Sequence, residues 1–180
     1  MSKLPLYVFK VIIIGEPAVG KTSLVKQYVT DQFSQEYKST MGANIYLKTV
    51  EMEDGTKVKF TLWDIAGQRE RFAQMQNIYF QGAQGCIIVY DMSRKVTFTK
   101  IEEAWVPSLG KFMTEPNYQK ILIANKVDLP DKEVSPEEGE QLRVKLGCNS
   151  FLQTSAKENI AVDESFTTLA KLLISNFQDK

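Results

Sequence analysis

The spacing of apolar and polar positions changes along this chain, and each change marks an element. The run Tyr7-Val8-Phe9-Lys10-Val11-Ile12-Ile13-Ile14 is almost wholly apolar and reads as a buried strand. Leu24, Val25 and Tyr28 then recur at helical spacing. Residues 31–42 are polar and aperiodic; a loop of that length in a domain is usually functional. Strands are predicted over 43–52 and 57–64, joined through Glu53-Asp54-Gly55-Thr56, because Asp-Gly between such runs signals a hairpin. In the second of these, Val58, Phe60 and Leu62 share one face and Lys59, Thr61 and Trp63 the other. Residues 65–82 predict a loop leading into a short helix over 70–79. The run from Gly85 to Tyr90 is apolar throughout, as in a strand covered on both faces.

Phe98, Ile101, Trp105, Leu109 and Phe112 trace one face of a helix, with Pro107 inside it. A proline there deletes a donor and clashes with the preceding turn, costing about 3 kcal/mol, so the helix should kink or break nearby. Ile121-Leu122-Ile123-Ala124 is a further buried strand. Ser135-Pro136-Glu137-Glu138 combines an N-cap serine, a first-turn proline and a capping-box glutamate, and its helix runs past Leu142 and Leu146 to Gly147. A short strand over 150–153 precedes a last helix with Val162, Phe166, Leu169, Ala170, Leu173 and Phe177 on one face.

This alternation predicts a three-layer α/β domain: a six-stranded, mostly parallel sheet with one antiparallel edge strand, and about five helices. One domain is expected over residues 1–180, with 1–5 a flexible N-terminus. Ligands of open α/β sheets sit beyond the carboxyl ends of the strands, so the loops after the first, third, fifth and sixth strands should carry the chemistry.

Composition narrows that chemistry. The formal net charge is +0, which leaves no global basic field for nucleic acid. No apolar run reaches bilayer length, no signal-peptide core begins the chain, and Ser2 stands where N-myristoylation needs glycine. With 2 cysteines and 0 histidines, disulfide scaffolds, cysteine zinc sites and histidine-based catalysis are excluded. Any reaction must rest on positioning and charge neutralisation.

The first strand leads into Gly15-Glu16-Pro17-Ala18-Val19-Gly20-Lys21-Thr22, the G-x-x-x-x-G-K-[ST] phosphate loop between strand and helix. Gly15 and Gly20 permit close backbone approach, successive N–H groups turn inward, and the following helix adds its unpaired donors. Lys21 brings a cation to terminal phosphates, and the Thr22 hydroxyl can ligate Mg2+. After the third strand, Asp64 suits a metal, Gly67 can present its N–H to a phosphate, and Gln68 can orient a water. After the fifth, the Asp128 carboxylate can accept from the paired donors of guanine, which adenine lacks. The Lys126 stem can cover the base, and Asn125 can tie this loop to the phosphate loop. After the sixth, Thr154-Ser155-Ala156-Lys157 offers a backbone N–H at Ala156 for the guanine carbonyl.

Taken in order, residues 15–22, Thr40, residues 64–68, residues 125–128 and residues 155–157 resemble the five nucleotide motifs of the Ras superfamily of small GTPases, a likeness that covers nearly the whole chain. The resemblance implies a P-loop NTPase fold, the small G domain, binding GTP or GDP with Mg2+ and hydrolysing GTP slowly to GDP. It implies a nucleotide site of Gly15, Ala18, Val19, Gly20, Lys21, Thr22, Ser23, Phe33, Tyr37, Thr40, Gly67, Asn125, Lys126, Asp128, Ser155, Ala156 and Lys157. Metal ligation falls to Thr22, Thr40 and Asp64, and catalysis to Gln68, Lys21 and Gly67. Residues 31–42 and 66–82 would be the two switches, ordered around GTP and read by activating proteins, exchange factors and effectors. A cytoplasmic monomer is implied, peripheral at membranes if a longer C-terminus carries a lipid anchor.

Within the superfamily the chain most resembles Rab proteins, particularly the endosomal ones, through residues 15–25, 39–43, 58–60, 82–84 and 88–91. It departs from them in three places. The Rab pattern W-D-T-A-G-Q-E-R-F has Ile65 for threonine here and one extra residue in Gln68-Arg69-Glu70-Arg71-Phe72. Pro17 stands where Ras carries glycine and many Rabs serine, removing an N–H and adding bulk near Gln68. The chain closes on Phe177-Gln178-Asp179-Lys180, without a prenylation cysteine. Two competing expectations follow: a nucleotide-locked module with little hydrolysis, favoured by Pro17 and the longer switch, and an ATP-using P-loop enzyme, opposed by Asn125 and Asp128.

Overall fold

Strand β1 (Leu6–Ile14) is the axis of the sheet, because an apolar run of this kind has no polar face to offer water. The structure is a computed structural model and describes residues 6–36 and 38–179, without the side chains of residues 69, 71 and 72. On one side β1 pairs in parallel with β3 (Lys57–Ile65), which pairs antiparallel with the edge strand β2 (Ala43–Glu51). On the other side β4 (Gly85–Asp91), β5 (Gln119–Asn125) and β6 (Ser150–Thr154) follow, all parallel. The sheet is thus 6-stranded in the order β2-β3-β1-β4-β5-β6, mostly parallel with one antiparallel edge, as the alternation predicts.

Successive residues of β1 enter opposite faces of the core. Phe9, Val11 and Ile13 pack with α1 (Lys21–Thr30) and α6 (Val162–Gln178), which meet through Tyr28 and Phe166 stacked at 3.8 Å. Ile12 and Ile14 face α2 (Gln76–Phe80), α3 (Lys95–Lys100), α4 (Val106–Phe112) and α5 (Pro136–Leu146). The three-layer arrangement puts the loops after β1, β3, β5 and β6 at one end of the sheet. At the other end the hairpin closes as its sequence predicts, with Gly55 at φ 83 and the Thr56 N–H donating to Asp54 Oδ1 at 2.9 Å. The capping box of α5 is also present, with Ser135 Oγ accepting from the Glu138 N–H at 3.2 Å and Glu138 Oε2 from the Ser135 N–H at 2.8 Å.

Two elements differ from expectation. The α-helix containing Pro107 is interrupted beside the proline as expected, but by a π turn: α3 widens over Ile101–Trp105 and resumes as α4, with Pro107 in the first turn. The Val106 N–H reaches back to the Ile101 carbonyl. The wide turn places the proline in the first turn of α4, where the α pattern needs no N–H from it. The α-helix expected over 70–79 is instead a 3-10 stretch over Arg69–Met75, with only Gln76–Phe80 as α2. Its Glu70, Ala73, Gln74 and Met75 are exposed, so no apolar stripe rewards the α form there.

Candidate functional site

The carboxyl ends of β1, β3, β5 and β6 surround a cavity of about 660 Å³. Of the residues expected in the site, Ala18, Gly20, Lys21, Thr22, Ser23, Phe33, Thr40, Gly67, Gln68, Asn125, Lys126, Asp128, Ala156 and Lys157 line it. Gly15, Val19, Asp64 and Ser155 stand behind that lining: Val19 packs into the core, and Asp64 and Ser155 are buried. Tyr37 lies outside the described residues. Sequence reasoning passed over Lys26, Ser34, Gln35, Lys38 and Leu129 as wall residues. Lys26 was readable, since it stands one helical turn beyond Thr22 and so shares its face.

The phosphate loop is held by a series of side chains from other elements. Lys21 Nζ donates to the Gly15 and Glu16 carbonyls, both at 2.9 Å. Arg94 Nη2 donates to Pro17 O at 2.9 Å, Lys126 Nζ to Ala18 O at 2.7 Å and Asn125 Nδ2 to Val19 O at 2.9 Å. The Glu16 carboxylate accepts from Trp105 Nε1 at 3.0 Å. Peptides are planar and trans, so a carbonyl fixed outward sends the following N–H the other way. Gly15 and Gly20, at φ 147 and 99, complete the turn; a Cβ at Gly20 would lie 2.2 Å from Asn125 Nδ2. Such an arrangement of backbone donors at a helix start suits an anion. Burial pushes the Lys21 ammonium down to about 8, against the raising influence of Asp64 and Glu16. An anion beside it would relieve that strain.

Pro17 packs directly against the loop after β3. The Glu16–Pro17 peptide turns its carbonyl toward Lys21, and its nitrogen faces Gly67. A Cβ on Gly67 would come within 2.3 Å of Pro17 N. Gly67 thus lies against the face of the Glu16–Pro17 peptide, where a side chain has no room.

Beside the loop, the hydroxyl of Thr22 donates to Asp64 Oδ2 at 2.5 Å and lies 3.0 Å from the Thr40 hydroxyl. Asp64 is buried, and its Oδ1 has no hydrogen-bond partner among the described residues. Burial raises its pKa, only partly countered by Thr22 and Lys21. A buried carboxylate oxygen without a donor, flanked by two hydroxyls, fits a hard cation. Among the described residues no three His, Cys, Asp or Glu cluster, so such a cation would depend on ligand phosphates for further oxygens, the usual manner of Mg2+. On the same wall Gln68 Nε2 approaches Ser39 Oγ at 3.4 Å, and Phe33 is 37 % exposed at the rim.

The opposite end is more tightly built. Asn125 Oδ1 accepts from Thr154 Oγ1 at 3.0 Å and from the Ala156 N–H at 3.3 Å, while its amide holds Val19. One side chain thus ties three loops. The Ala156 N–H, expected to face a base carbonyl, is engaged within the protein. Ser155 Oγ donates to Asp128 Oδ1 at 2.6 Å and fixes that carboxylate's orientation. Lys157 sits at the exposed edge, 3.7 Å from Glu158.

Sequence comparisons relate the chain to known proteins. A family model described as the Ras family matches residues 10–175. The chain is similar to the Ras-related protein Rab-1 of Theileria parva, 39% identical over 168 residues that cover 93% of this chain and 74% of that protein. It is similar to Rab-7L1 of Rattus norvegicus, 36% identical over 176 residues covering 96% and 85%. It is similar also to human Rab-8B, 36% identical over 181 residues covering 100% and 85%.

Proposed function

The chain belongs to the Ras family, with Rab proteins among its relatives, and from that premise we propose that it is a GTP-hydrolysing switch of the Rab kind that acts in membrane traffic. The observation that carries the reading is one cavity with a cation corner at one end and an oriented carboxylate, Asp128, at the other. A guanine nucleotide would lie between them. Asp128 would accept from the guanine N1–H and amine, Phe33 would cover the rim, and Lys126 would lie along the base. Gly15, Ala18, Val19, Gly20, Lys21, Thr22 and Ser23 would cradle the phosphates.

Thr22, Thr40 and Asp64 would hold Mg2+, whose charge would neutralise the transferring phosphoryl group. Lys21 would donate to phosphate oxygens, and the Gly67 N–H would add a donor. Gln68 would accept from and donate to the attacking water and so orient it; positioning and charge stabilisation then supply most of the catalysis. Activating proteins often add an arginine in trans, worth about 10³–10⁵ in rate. Arg69, whose side chain lies outside the described residues, is the chain's own arginine next to Gln68. An unchanged rate in Arg69→Ala removes it from the mechanism.

Residues 31–42 and 66–82 would meet the regulators and effectors that Ras and Rab proteins generally use. Among the described residues no helix is long and apolar enough to cross a membrane. The alternative of a nucleotide-locked module finds no support among the relatives. Single-turnover decay of GTP in the wild type and in Gln68→Leu tests the reading: the variant should be at least about tenfold slower. Equal, slow decay in both removes hydrolysis through Gln68, and ATP retention equal to that of GTP removes the guanine site.

A further inference from the structure

We propose that Arg94 is a positioning residue for the bound polyphosphate: by holding the Pro17 carbonyl outside the loop, it aims the Ala18 N–H into the cavity. The inference rests on the nucleotide reading above and deepens it. Ala18 lines the cavity at φ 61, in the left-handed region, where a non-glycine residue is strained by about 1–2 kcal/mol and persists only if its surroundings over-determine it. Two cations supply that restraint. Arg94 Nη2 holds Pro17 O at 2.9 Å on one side of Ala18, and Lys126 Nζ holds Ala18 O at 2.7 Å on the other.

Both cations are anchored on Asp91, at the end of β4. Its Oδ2 meets Arg94 Nε at 3.0 Å and Lys126 Nζ at 2.8 Å, and its Oδ1 accepts from the Ser93 N–H at 2.9 Å and Oγ at 2.6 Å. The carboxylate is 1 % exposed and its oxygens are filled, so the guanidinium is fixed in direction. The backbone of Arg94 is tied down as well: its carbonyl accepts from Thr97 Oγ1 at 2.8 Å, and that hydroxyl accepts from the Asp91 N–H at 3.0 Å. A planar fork can bridge Asp91 and Pro17 O; a lysine ammonium on a flexible stem holds such a bridge less well.

The test is release of fluorescent GDP from the Mg2+-loaded full chain, with the 31P spectrum of bound GDP as a second readout. Arg94→Ala should release GDP about tenfold faster than wild type, the loss expected for a charge-assisted hydrogen bond, and Arg94→Lys should fall between them. Millimolar methylguanidinium should slow release from Arg94→Ala and leave the wild type unchanged, and the bound phosphorus signals of the alanine variant should shift. A merely structural arginine would not give rescue or a shifted spectrum. Release from Arg94→Ala within twofold of wild type, or faster release without rescue and with unshifted signals, overturns the inference. If Arg94→Ala does not fold, Arg94→Gln carries the same comparison under the same twofold limit. Wild-type protein that retains no GDP removes the nucleotide reading itself; retention by the wild type with unchanged release in the variant removes only Arg94.

Discussion

The cavity has two unlike walls. On one, the carbonyls of Gly15 to Val19 are each held by a side chain, and Asn125 joins the ends of β1, β5 and β6. On the other, the described part of residues 31–42 forms no helix or strand, and residues 69–75 wind as a 3-10 helix. Among the described residues its links to the first wall include the Thr22–Thr40 hydroxyl contact at 3.0 Å and the packing of Gly67 on Pro17. Gln68 meets Ser39 at 3.4 Å within it. The same ligand would therefore meet a wall built before it arrives and a wall whose order it must help create. Local stability follows buried contacts and protected hydrogen bonds, so the second wall lies at the low-stability end.

Lys21→Met gives the largest effect, because Lys21 is the charge the built wall was arranged around. GDP affinity should fall by more than about 100-fold, read by fluorescence titration. The same variant should also change how the nucleotide-free protein responds to pH. Burial holds the Lys21 pKa down at about 8, below its ordinary 10.5. Between those values the unfolded chain binds a proton that the folded chain does not, so stability rises with pH across the window. Below about pH 8 the penalty of the buried ammonium is fully present. Urea titrations at pH 7.5 and pH 10.5 should show a smaller rise in the variant than in the wild type. Parallel curves would mean that Lys21 is not strained.

Asn125→Ala comes next. It removes the donor to Val19 O and the acceptor of Thr154 and Ala156, all buried, so unfolding should cost about 3 kcal/mol less. If denaturation shows a loss below about 1 kcal/mol, the first wall is not held together by its side chains and the contrast between the walls fails.

How much of each wall could be read from the sequence follows from the same contrast. The phosphate loop, hairpin and capping box were legible because neighbouring residues make each one: glycines at fixed spacing, Asp54-Gly55, Ser135 with Glu138. The parallel sheet was legible because its central strands β1 and β4 carry long apolar runs. The clasp was not, for Arg94 and Pro17 are 77 residues apart, and Trp105 and Glu16 are 89 apart. Nothing local distinguishes Arg94 from a solvated arginine. The π turn escaped because an apolar stripe at three and four residues tolerates one wide turn, and Pro107 reported only that something must give. The 3-10 stretch escaped because polar residues without a stripe carry no period.

Gly67→Ala tests the contact between the walls. A Cβ there would meet the backbone of Glu16 and Pro17 at 2.3–2.8 Å, and neither peptide can move without releasing Lys21 or Arg94. The first wall should hold and residues 66–75 should shift, taking Gln68 out of place. Single-turnover hydrolysis should fall at least about tenfold, while thermal stability and GDP retention change little. A large loss of stability instead would show that the second wall is as firmly built as the first.

The smallest effect belongs to Ser39→Ala. At 3.4 Å the Gln68 Nε2 to Ser39 Oγ contact is long, and it is exposed. An exposed hydrogen bond contributes little net stability because water replaces it, so the substitution should shift unfolding by less than about 0.5 kcal/mol. Hydrolysis in the GTP state should change by less than about threefold, since so long and exposed a contact holds Gln68 only weakly. The informative readout is amide exchange in the nucleotide-free chain: residues 38–42 and 66–75 should already exchange by local opening in the wild type, with protection far below that of Val11, Ile12 and Ile13 in β1, and Ser39→Ala should leave that pattern unchanged. If those segments instead exchange only by global unfolding, both walls are preformed, and the second cannot serve as the part of the cavity that reports which nucleotide is bound.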